Sequence, residues 1–180
     1  MIKAVFFDAA GILYTRSGPT EAFALNLLRN SGYTTEPSEE VLTQLISLRS
    51  DANGGKVNHE IYWNTYLLAR KVENKNTRKS FIKNIITYSN DVQPIDGARD
   101  ALLKLKSLHL LLGIITDTMY PVEWKMARLT KAGVADLIDI VSCSTNLGAH
   151  KPDPAVYQYA IGQTPYSPAQ CAFVGHMGIE

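Results

Sequence analysis

The chain begins MIKAVFFDAAGILY (residues 1–14), where an apolar run ends on a single carboxylate, Asp8, followed by small residues. The apolar stretch after Lys3 has the composition of a β-strand that is buried on both faces. Such a strand delivers its last side chain to the mouth of a sheet, and a glycine just beyond lets backbone amides close around an anion. Asp8, with Gly11 following it, is therefore predicted to lie in a functional site.

Composition is that of an ordinary globular protein with one domain, or one domain carrying an insertion. The 180 residues are 46% hydrophobic and 19% charged, with a net charge of +1. Nucleic acid and anionic membrane surfaces are therefore not expected partners. No apolar run reaches the roughly 18 residues of a transmembrane helix and no signal peptide is evident, so a cytoplasmic location is expected. Cys143 and Cys171 lie in apolar runs and are expected to be reduced core thiols.

Three later apolar runs repeat the pattern of the first strand. They are LLLGIIT (110–116), LIDIVSC (137–143) and CAFVG (171–175). Helical patterns cover 97–109 and 122–134, the second ending near Gly133. Strand and helix thus alternate, which is typical of an α/β fold with a Rossmann-like, doubly wound parallel sheet.

The segment between the first two of these strands is predicted to be helical. Helical patterns cover 20–32, 38–50, 58–72 and 77–89. An insertion directly after the first strand is expected to form a cap over the end of the sheet where that strand finishes. The predicted division is a core of residues 1–15 and 92–180 and a helical cap of residues 16–91, with DVQPIDG (91–97) as the return connection.

The loops at the carboxyl ends of the four strands are expected to meet, because an open α/β sheet places its ligand site there. Pro152 favours an extended backbone at the preceding lysine, and Asp153 with Pro154 predicts the start of the next helix. These two signals place that lysine at the mouth of the sheet. The side chains that the loops carry are Asp8, Thr116, Lys151, His176 and Glu180.

This arrangement resembles the haloacid dehalogenase-like (HAD) hydrolase superfamily, with a helical cap inserted after the first strand, over essentially the whole chain. The family motifs are a strand ending D-x-D-G-T-L, a second strand ending in Thr or Ser, a Lys before Pro, and a fourth strand ending G-D-x-x-x-D. The corresponding stretches here are FFDAAGIL (6–13), GIITDT (113–118), HKPDP (150–154) and FVGHMGIE (173–180).

The resemblance implies a hydrolase acting on a small anionic substrate, a phosphate ester or a 2-haloacid. Asp8 would be the nucleophile and form a covalent aspartyl intermediate. Thr116 would donate its hydroxyl to a substrate oxygen, and Lys151 would neutralise both Asp8 and the incoming anion. Without the resemblance, these residues would be a turn-capping Asp, a strand Thr and a surface Lys. Further substrate contacts are implied at Ala9, Ala10 and Asp117, although the last could instead cap the next helix or face solvent.

Among the departures from the family pattern, which include Ile12 in place of the usual Thr, two bear on the chemistry. Ala10 stands where the phosphatases carry a second Asp that protonates the leaving group, and loss of a general acid costs about 10²- to 10⁴-fold. His176 stands where an Asp normally holds Mg²⁺, and an imidazole matches that hard cation poorly. The implied Mg²⁺ site is therefore weakened, with Asp8, the carbonyl of Ala10 and Glu180 as its ligands. A dehalogenase would need no metal.

Non-acidic residues at the position of Ala10 occur in two classes of the superfamily. In haloacid dehalogenases the substrate has a carboxylate, which Arg16 or Arg49 would bind here. Phosphonoacetaldehyde hydrolases have the motif D-x-A-G-T and use a cap lysine as a Schiff base, for which Lys56 is the candidate. The cap aromatics have a helical spacing that favours core positions over substrate contacts, and they are Tyr62, Trp63 and Tyr66.

Two classes of function remain open. The first is the hydrolase described above, supported by Asp8, Thr116 and Lys151. The second is a catalytically impaired family member that acts as a binding or regulatory module, supported by Ala10 and His176. The chain ends directly after the fourth strand's loop, whereas the family continues with a helix and a strand. It is therefore either a fragment or a shortened fold whose exposed sheet edge would invite pairing, and a monomer or a homodimer is expected.

Overall fold

The computed structural model describes residues 1–175, which alternate between strands and helices outside one helical insertion. The strands are β1 (Ala4–Phe7), β2 (Tyr14–Arg16), β3 (Val92–Pro94), β4 (Leu111–Thr116), β5 (Ile140–Cys143) and β6 (Cys171–Val174). The helices are α1 (Thr20–Asn30), α2 (Glu39–Asn53), α3 (His59–Leu68), α4 (Lys75–Asn90), α5 (Ala98–Ser107), α6 (Val122–Lys131), α7 (Ser144–Leu147) and α8 (Pro154–Gly162).

The central sheet has the order β5-β4-β1-β6, and all three strand pairs are parallel. Strand β1 lies in the interior of this sheet, with Ala4 level with Leu111 on one side and Cys171 on the other. The predicted α/β class and Rossmann-like parallel sheet are therefore confirmed. The limits of the core (1–15 and 92–180) and of the cap (16–91) stay predictions.

Helices cover both faces of the sheet, which explains the continuous apolar runs of its strands. Leu102 of α5 and Leu129 of α6 pack on one face, in a cluster that includes Val5 and Phe7. The opposite face packs against α8 in a second cluster, built from Ala4, Phe6, Ile115, Ile140, Val156 and Ala160. Strand β1 is packed between these two layers of helices, and this packing fixes the position of Asp8, which directly follows the strand.

Helices α1 to α4 form a cap, whose hydrophobic cluster also includes Met119 and Tyr120 from the loop after β4. Tyr62, Trp63 and Tyr66 are all buried in that cluster, which confirms the expectation that they are core residues. Within residues 1–175, side-chain hydrogen bonds join the cap to the core at several points. The indole Nε1 of Trp63 donates to the hydroxyl of Tyr120 at 3.1 Å, and Ser50 Oγ lies 2.9 Å from His150 Nε2.

A short antiparallel ribbon of β2 and β3 connects the cap to the core, with Tyr14 opposite Pro94. The expectation that 91–97 is only a return connection is wrong in this detail, because β3 forms there. Each strand is three residues long, too short for an alternating pattern to appear in the sequence. The ribbon places Tyr14 and Arg16 beside the loop that follows Asp8.

Two smaller expectations concern the cysteines and membrane insertion. Cys143 is buried in β5 as predicted, whereas Cys171 is only partly buried, and both are free thiols. Among the helices of residues 1–175, none combines the length and the apolar character that crossing a membrane requires.

Candidate active site

A cavity of about 490 Å³ lies at the carboxyl ends of β1 and β4, beneath the cap. Its core side includes Asp8 after β1, Thr116 at the end of β4, and Lys151 from the loop before α8. Its cap side comes from α1, α2 and α3, which contribute Glu21, Arg49, Asn53 and Trp63. The structure therefore brings together the three residues to which the sequence analysis assigns catalytic roles.

Asp8 and Lys151 form a buried ion pair. Lys151 Nζ lies 3.0 Å from Asp8 Oδ1, and the two side chains are 5% and 8% exposed. The same Oδ1 also accepts the backbone N–H of Ala9 at 2.9 Å. Such a pair tolerates burial only when its geometry is good and further hydrogen bonds support it, so both side chains are held in defined positions at the wall of the cavity.

Thr116 has a hydroxyl with no hydrogen-bond partner within residues 1–175, although the residue is only 1% exposed. An unsatisfied buried hydroxyl costs about 1–3 kcal/mol in protein contexts. Because Thr116 lines the cavity next to Asp8 and Lys151, a ligand oxygen is the natural acceptor for this donor. The arrangement suits an anion placed between the hydroxyl and the ammonium group.

Asp117 follows Thr116 and holds the lysine loop in place. Its Oδ1 accepts the backbone N–H of Lys151 at 3.2 Å. Burial raises the pKa of Asp117 above its ordinary value, although the hydrogen bond from Lys151 and the lysine charge act in the opposite direction. The expectation that Asp117 caps the next helix is wrong, because α6 begins after Pro121 without a side-chain cap.

The loop after Asp8 also corrects one prediction. Ala9 is fully buried and donates its amide to Asp8, so it does not line the cavity as a substrate contact. Ala10 and Gly11 do line the cavity. Gly11 has φ of 83°, a conformation that glycine adopts without strain, and the turn it allows brings Ala10 back against Tyr14.

The cationic residues considered as substrate ligands differ in their positions. Arg16 and Arg49 both line the cavity, but Arg49 is paired with Glu21 at 3.0 Å. Lys56 does not line it, because its side chain is 67% exposed and pairs with Asp51. A Schiff base at Lys56 therefore does not fit this structure.

The expected Mg²⁺ site is only partly within the described residues. Asp8 and the carbonyl of Ala10 fall inside them, whereas His176 and Glu180 lie outside. Within residues 1–175, no three His, Cys, Asp or Glu side chains are arranged to hold a metal ion. Mg²⁺ requires near-octahedral oxygen coordination, so the described donors alone do not form its site.

Tyr14, Lys125 and Arg128 are among the residues of the cavity wall that the sequence does not predict. All three are buried. Lys125 and Arg128 are three positions apart on α6, and this spacing places two basic side chains on one face of the helix. The signal is weak, because basic residues on a helix normally indicate its solvent side.

Comparison with known families agrees with this geometry. The model of the haloacid dehalogenase-like hydrolase family matches residues 5–177. The chain belongs to this family. The match includes β1 and the loops that carry Asp8, Thr116 and Lys151, which are the parts of the HAD fold that form the cavity.

Relatives and solved structures extend the comparison. The chain is 26% identical to the glyceraldehyde 3-phosphate phosphatase of Methanothermobacter thermautotrophicus over 98% of its own length and 77% of that protein. It resembles the 2-haloacid dehalogenase of Pseudomonas syringae with a TM-score of 0.67 at 20% identity, over 98% of this chain and 79% of that one. A HAD phosphatase of Thermococcus onnurineus gives 0.64 at 21% identity, over 99% and 79%. These structural likenesses show the fold.

Proposed function

We propose that this HAD-family hydrolase cleaves a small phosphate ester, with Asp8 as the nucleophile. The observation that carries the proposal is the convergence on one cavity of the Asp8–Lys151 pair, 3.0 Å apart, and the unpartnered hydroxyl of Thr116. A carboxylate, an ammonium group and a hydroxyl donor are what attack on an anionic phosphoryl group requires. The glyceraldehyde 3-phosphate phosphatases among the relatives also support a phosphate ester.

The proposed reaction has two displacements. A carboxylate oxygen of Asp8 attacks phosphorus, the bond to the ester oxygen breaks, and the leaving alkoxide takes a proton from water. Water then attacks the aspartyl phosphate, which releases inorganic phosphate and restores the Asp8 carboxylate. Lys151 and Thr116 bind the phosphoryl oxygens in both steps, and Asp117 positions Lys151 through its backbone. Asp8 and the carbonyl of Ala10 would supply two oxygen ligands of a Mg²⁺ ion whose coordination they do not complete, and such an ion would add neutralisation of phosphoryl charge.

Hydrolysis of a 2-haloacid is the second candidate, and Ala10 favours it. In that reaction Asp8 attacks the carbon that bears the halogen, and the halide leaves with the bonding electrons. Water then hydrolyses the resulting ester to a 2-hydroxy acid. A halide needs no proton, so a methyl group at position 10 is no handicap.

Assays on the full chain separate these candidates. Two substrates are tested, each with Mg²⁺ and with a chelator. They are the phosphate ester glyceraldehyde 3-phosphate and the haloacid 2-chloropropionate. Release of phosphate supports the first proposal, and halide release in the presence of chelator supports the second. A chain that binds phosphate but turns over neither of these substrates would instead be the impaired binding module. The cytoplasmic location and the monomeric or homodimeric state stay predictions.

Lys151→Met is expected to weaken the binding of inorganic phosphate by at least about tenfold, because a charge-assisted contact to the anion is lost. Isothermal titration calorimetry measures the affinity directly. Lys56→Met is the matched control, since it removes an exposed lysine that lies outside the cavity. Equal phosphate affinity in the Lys151 and Lys56 variants would place the anion elsewhere.

Thr116→Val is expected to raise the stability of the fold and to lower its affinity for phosphate. The change removes a buried hydroxyl without a partner at nearly constant volume, so the free energy of unfolding should rise by about 1 kcal/mol. Phosphate affinity should fall at the same time, because the donor is lost. Urea denaturation and calorimetry on one preparation test both effects, with the exposed Thr130→Val as control. Loss of stability together with unchanged affinity would assign Thr116 a structural role.

A further inference from the structure

A second group of positively charged side chains lines the same cavity, in addition to Lys151. It consists of Arg16, Lys125 and Arg128 around the phenol of Tyr14, and is called the basic cluster below. Lys125 and Arg128 are 3% and 4% exposed. Within residues 1–175, no carboxylate forms an ion pair with any of the three cations.

Neutral groups hold these cations in place. Lys125 Nζ donates to the Tyr14 hydroxyl at 3.0 Å, and Arg16 Nη1 donates to Thr20 Oγ1 at 3.2 Å. Arg128 donates to the side chains of Asn90 and Ser89 at 2.9 and 3.3 Å and lies 5.1 Å from the ring centre of Tyr120. Hydrogen bonds of this kind fix the side chains but leave their charge uncompensated.

The other carboxylates of the cavity are committed elsewhere. Asp8 pairs with Lys151, Asp117 accepts from the backbone of Lys151, and Glu21 pairs with Arg49 at 3.0 Å. Buried cations without a counter-charge are costly. Because these buried cations lie at the wall of a cavity, an anionic group of a bound ligand could supply the missing counter-charge.

Tyr14 reports the positive potential of the cluster. Burial alone would raise the pKa of its phenol, but Lys125, Arg128 and Arg16 outweigh that effect, and the pKa is lowered. The field at the phenol oxygen thus favours negative charge even though the group is buried. A ligand carboxylate or phosphate at the same place would experience the same field.

We propose that the basic cluster binds a second anionic group of the substrate, a carboxylate or a phosphate that is separate from the phosphoryl group at Asp8. This inference rests on the proposed function and deepens it by naming the substrate class as compounds with two anionic groups. One group lies between Lys151 and Thr116, and the other lies at Arg16, Lys125 and Arg128. The cavity, of about 490 Å³, has room for a small molecule that spans both.

Calorimetry at fixed ionic strength tests the proposal without turnover. The probes are methylphosphonate, phosphonoacetate and methylenebisphosphonate, which have no hydrolysable ester bond and carry no second anion, a carboxylate and a second phosphonate, respectively. The wild type should bind at least one of the latter two about tenfold more tightly than methylphosphonate. The tighter of the two identifies the second group.

Arg16→Gln and Lys125→Met should each lower the affinity for the probe with the second anionic group far more than the affinity for methylphosphonate, and so remove most of this preference. Arg16 is only half-buried, so its variant remains informative if the Lys125 variant does not fold. Lys131→Gln is the matched control, because it removes one charge from α6 at a lysine paired with Asp91 outside this cavity. An unchanged preference in Arg16→Gln overturns the proposal.

The two proposals fail in different ways. Equal affinity of the wild type for all three probes, with phosphate binding still dependent on Lys151, would overturn the second anion site and leave the proposed function standing. A preference that disappears in Arg16→Gln, in a chain that never turns over a phosphate ester, would support the site and overturn the proposed function.

Discussion

Asp8→Asn is expected to lower kcat for a phosphate ester by about 10⁴-fold or more, the scale of loss when a covalent nucleophile is removed. The amide has nearly the same shape as the carboxylate but cannot attack phosphorus. Its effect should appear in kcat, because Lys151 and Thr116 remain to bind the substrate. Steady-state and single-turnover kinetics of p-nitrophenyl phosphate measure the loss.

The control for this variant is Asp153→Asn, the same chemical change two positions after Lys151. Asp153 is exposed and caps α8 by accepting the N–H of Ala155, and Asn caps helices about as well as Asp. Its activity should therefore match the wild type. An Asp8 variant that stays within about tenfold of the wild type, far short of a nucleophile's contribution, would contradict the mechanism.

Ala10→Asp is expected to raise turnover of an alkyl phosphate by about 10²- to 10⁴-fold, the usual contribution of general acid catalysis. Ala10 lines the cavity beside Asp8, so a carboxyl at this position would lie near the leaving oxygen. The gain for p-nitrophenyl phosphate should be smaller, because that leaving group departs with little protonation. The prediction is thus a difference between two substrates.

Ala10→Asn provides the matched control, since it adds a side chain of the same size that is a poor acid. The comparison is repeated in a His176→Asp background, because the family motif carries an Asp there and the two changes could act together. Equal effects of Asp and Asn, or no gain on either substrate in either background, would show that a missing acid does not limit the reaction. Halide release by the wild type would then explain Ala10.

Most of the fold could be predicted from the sequence, because the patterns that specify its strands and helices are local. Strands buried on both faces give continuous apolar runs, and those runs located β1, β4 and β6 to within one or two residues. Strand β5 begins at Ile140 rather than Leu137 because a turn of 3₁₀ helix at 135–137 precedes it. The ribbon of β2 and β3 depends on pairing between segments far apart in sequence, which no local pattern reports.

The site was partly predictable for the same reason. Asp8 and Thr116 lie at the carboxyl ends of recognisable strands, and Lys151 lies in a recognisable turn before a helix. A parallel sheet brings the loops at the carboxyl ends of its strands together. Arg128 and Lys125 gave no comparable signal, because their burial against Tyr14 depends on how α6 packs on the ribbon. The amide of Ala9 donates to Asp8, a detail of backbone direction that residue types do not reveal.

Chemical trapping of the Asp8 intermediate tests the central claim most directly. Acid quenching during turnover of a phosphate ester, followed by trypsin digestion and mass spectrometry, isolates the peptide AVFFDAAGILYTR (4–16), in which Asp8 is the sole side-chain carboxylate. The account predicts that this peptide gains one phosphoryl group, which hydroxylamine removes as expected for an acyl phosphate. The decisive sample is enzyme quenched directly after a burst of product release, when a covalent intermediate would be at its highest level. An unmodified peptide in that sample would contradict Asp8 as the nucleophile.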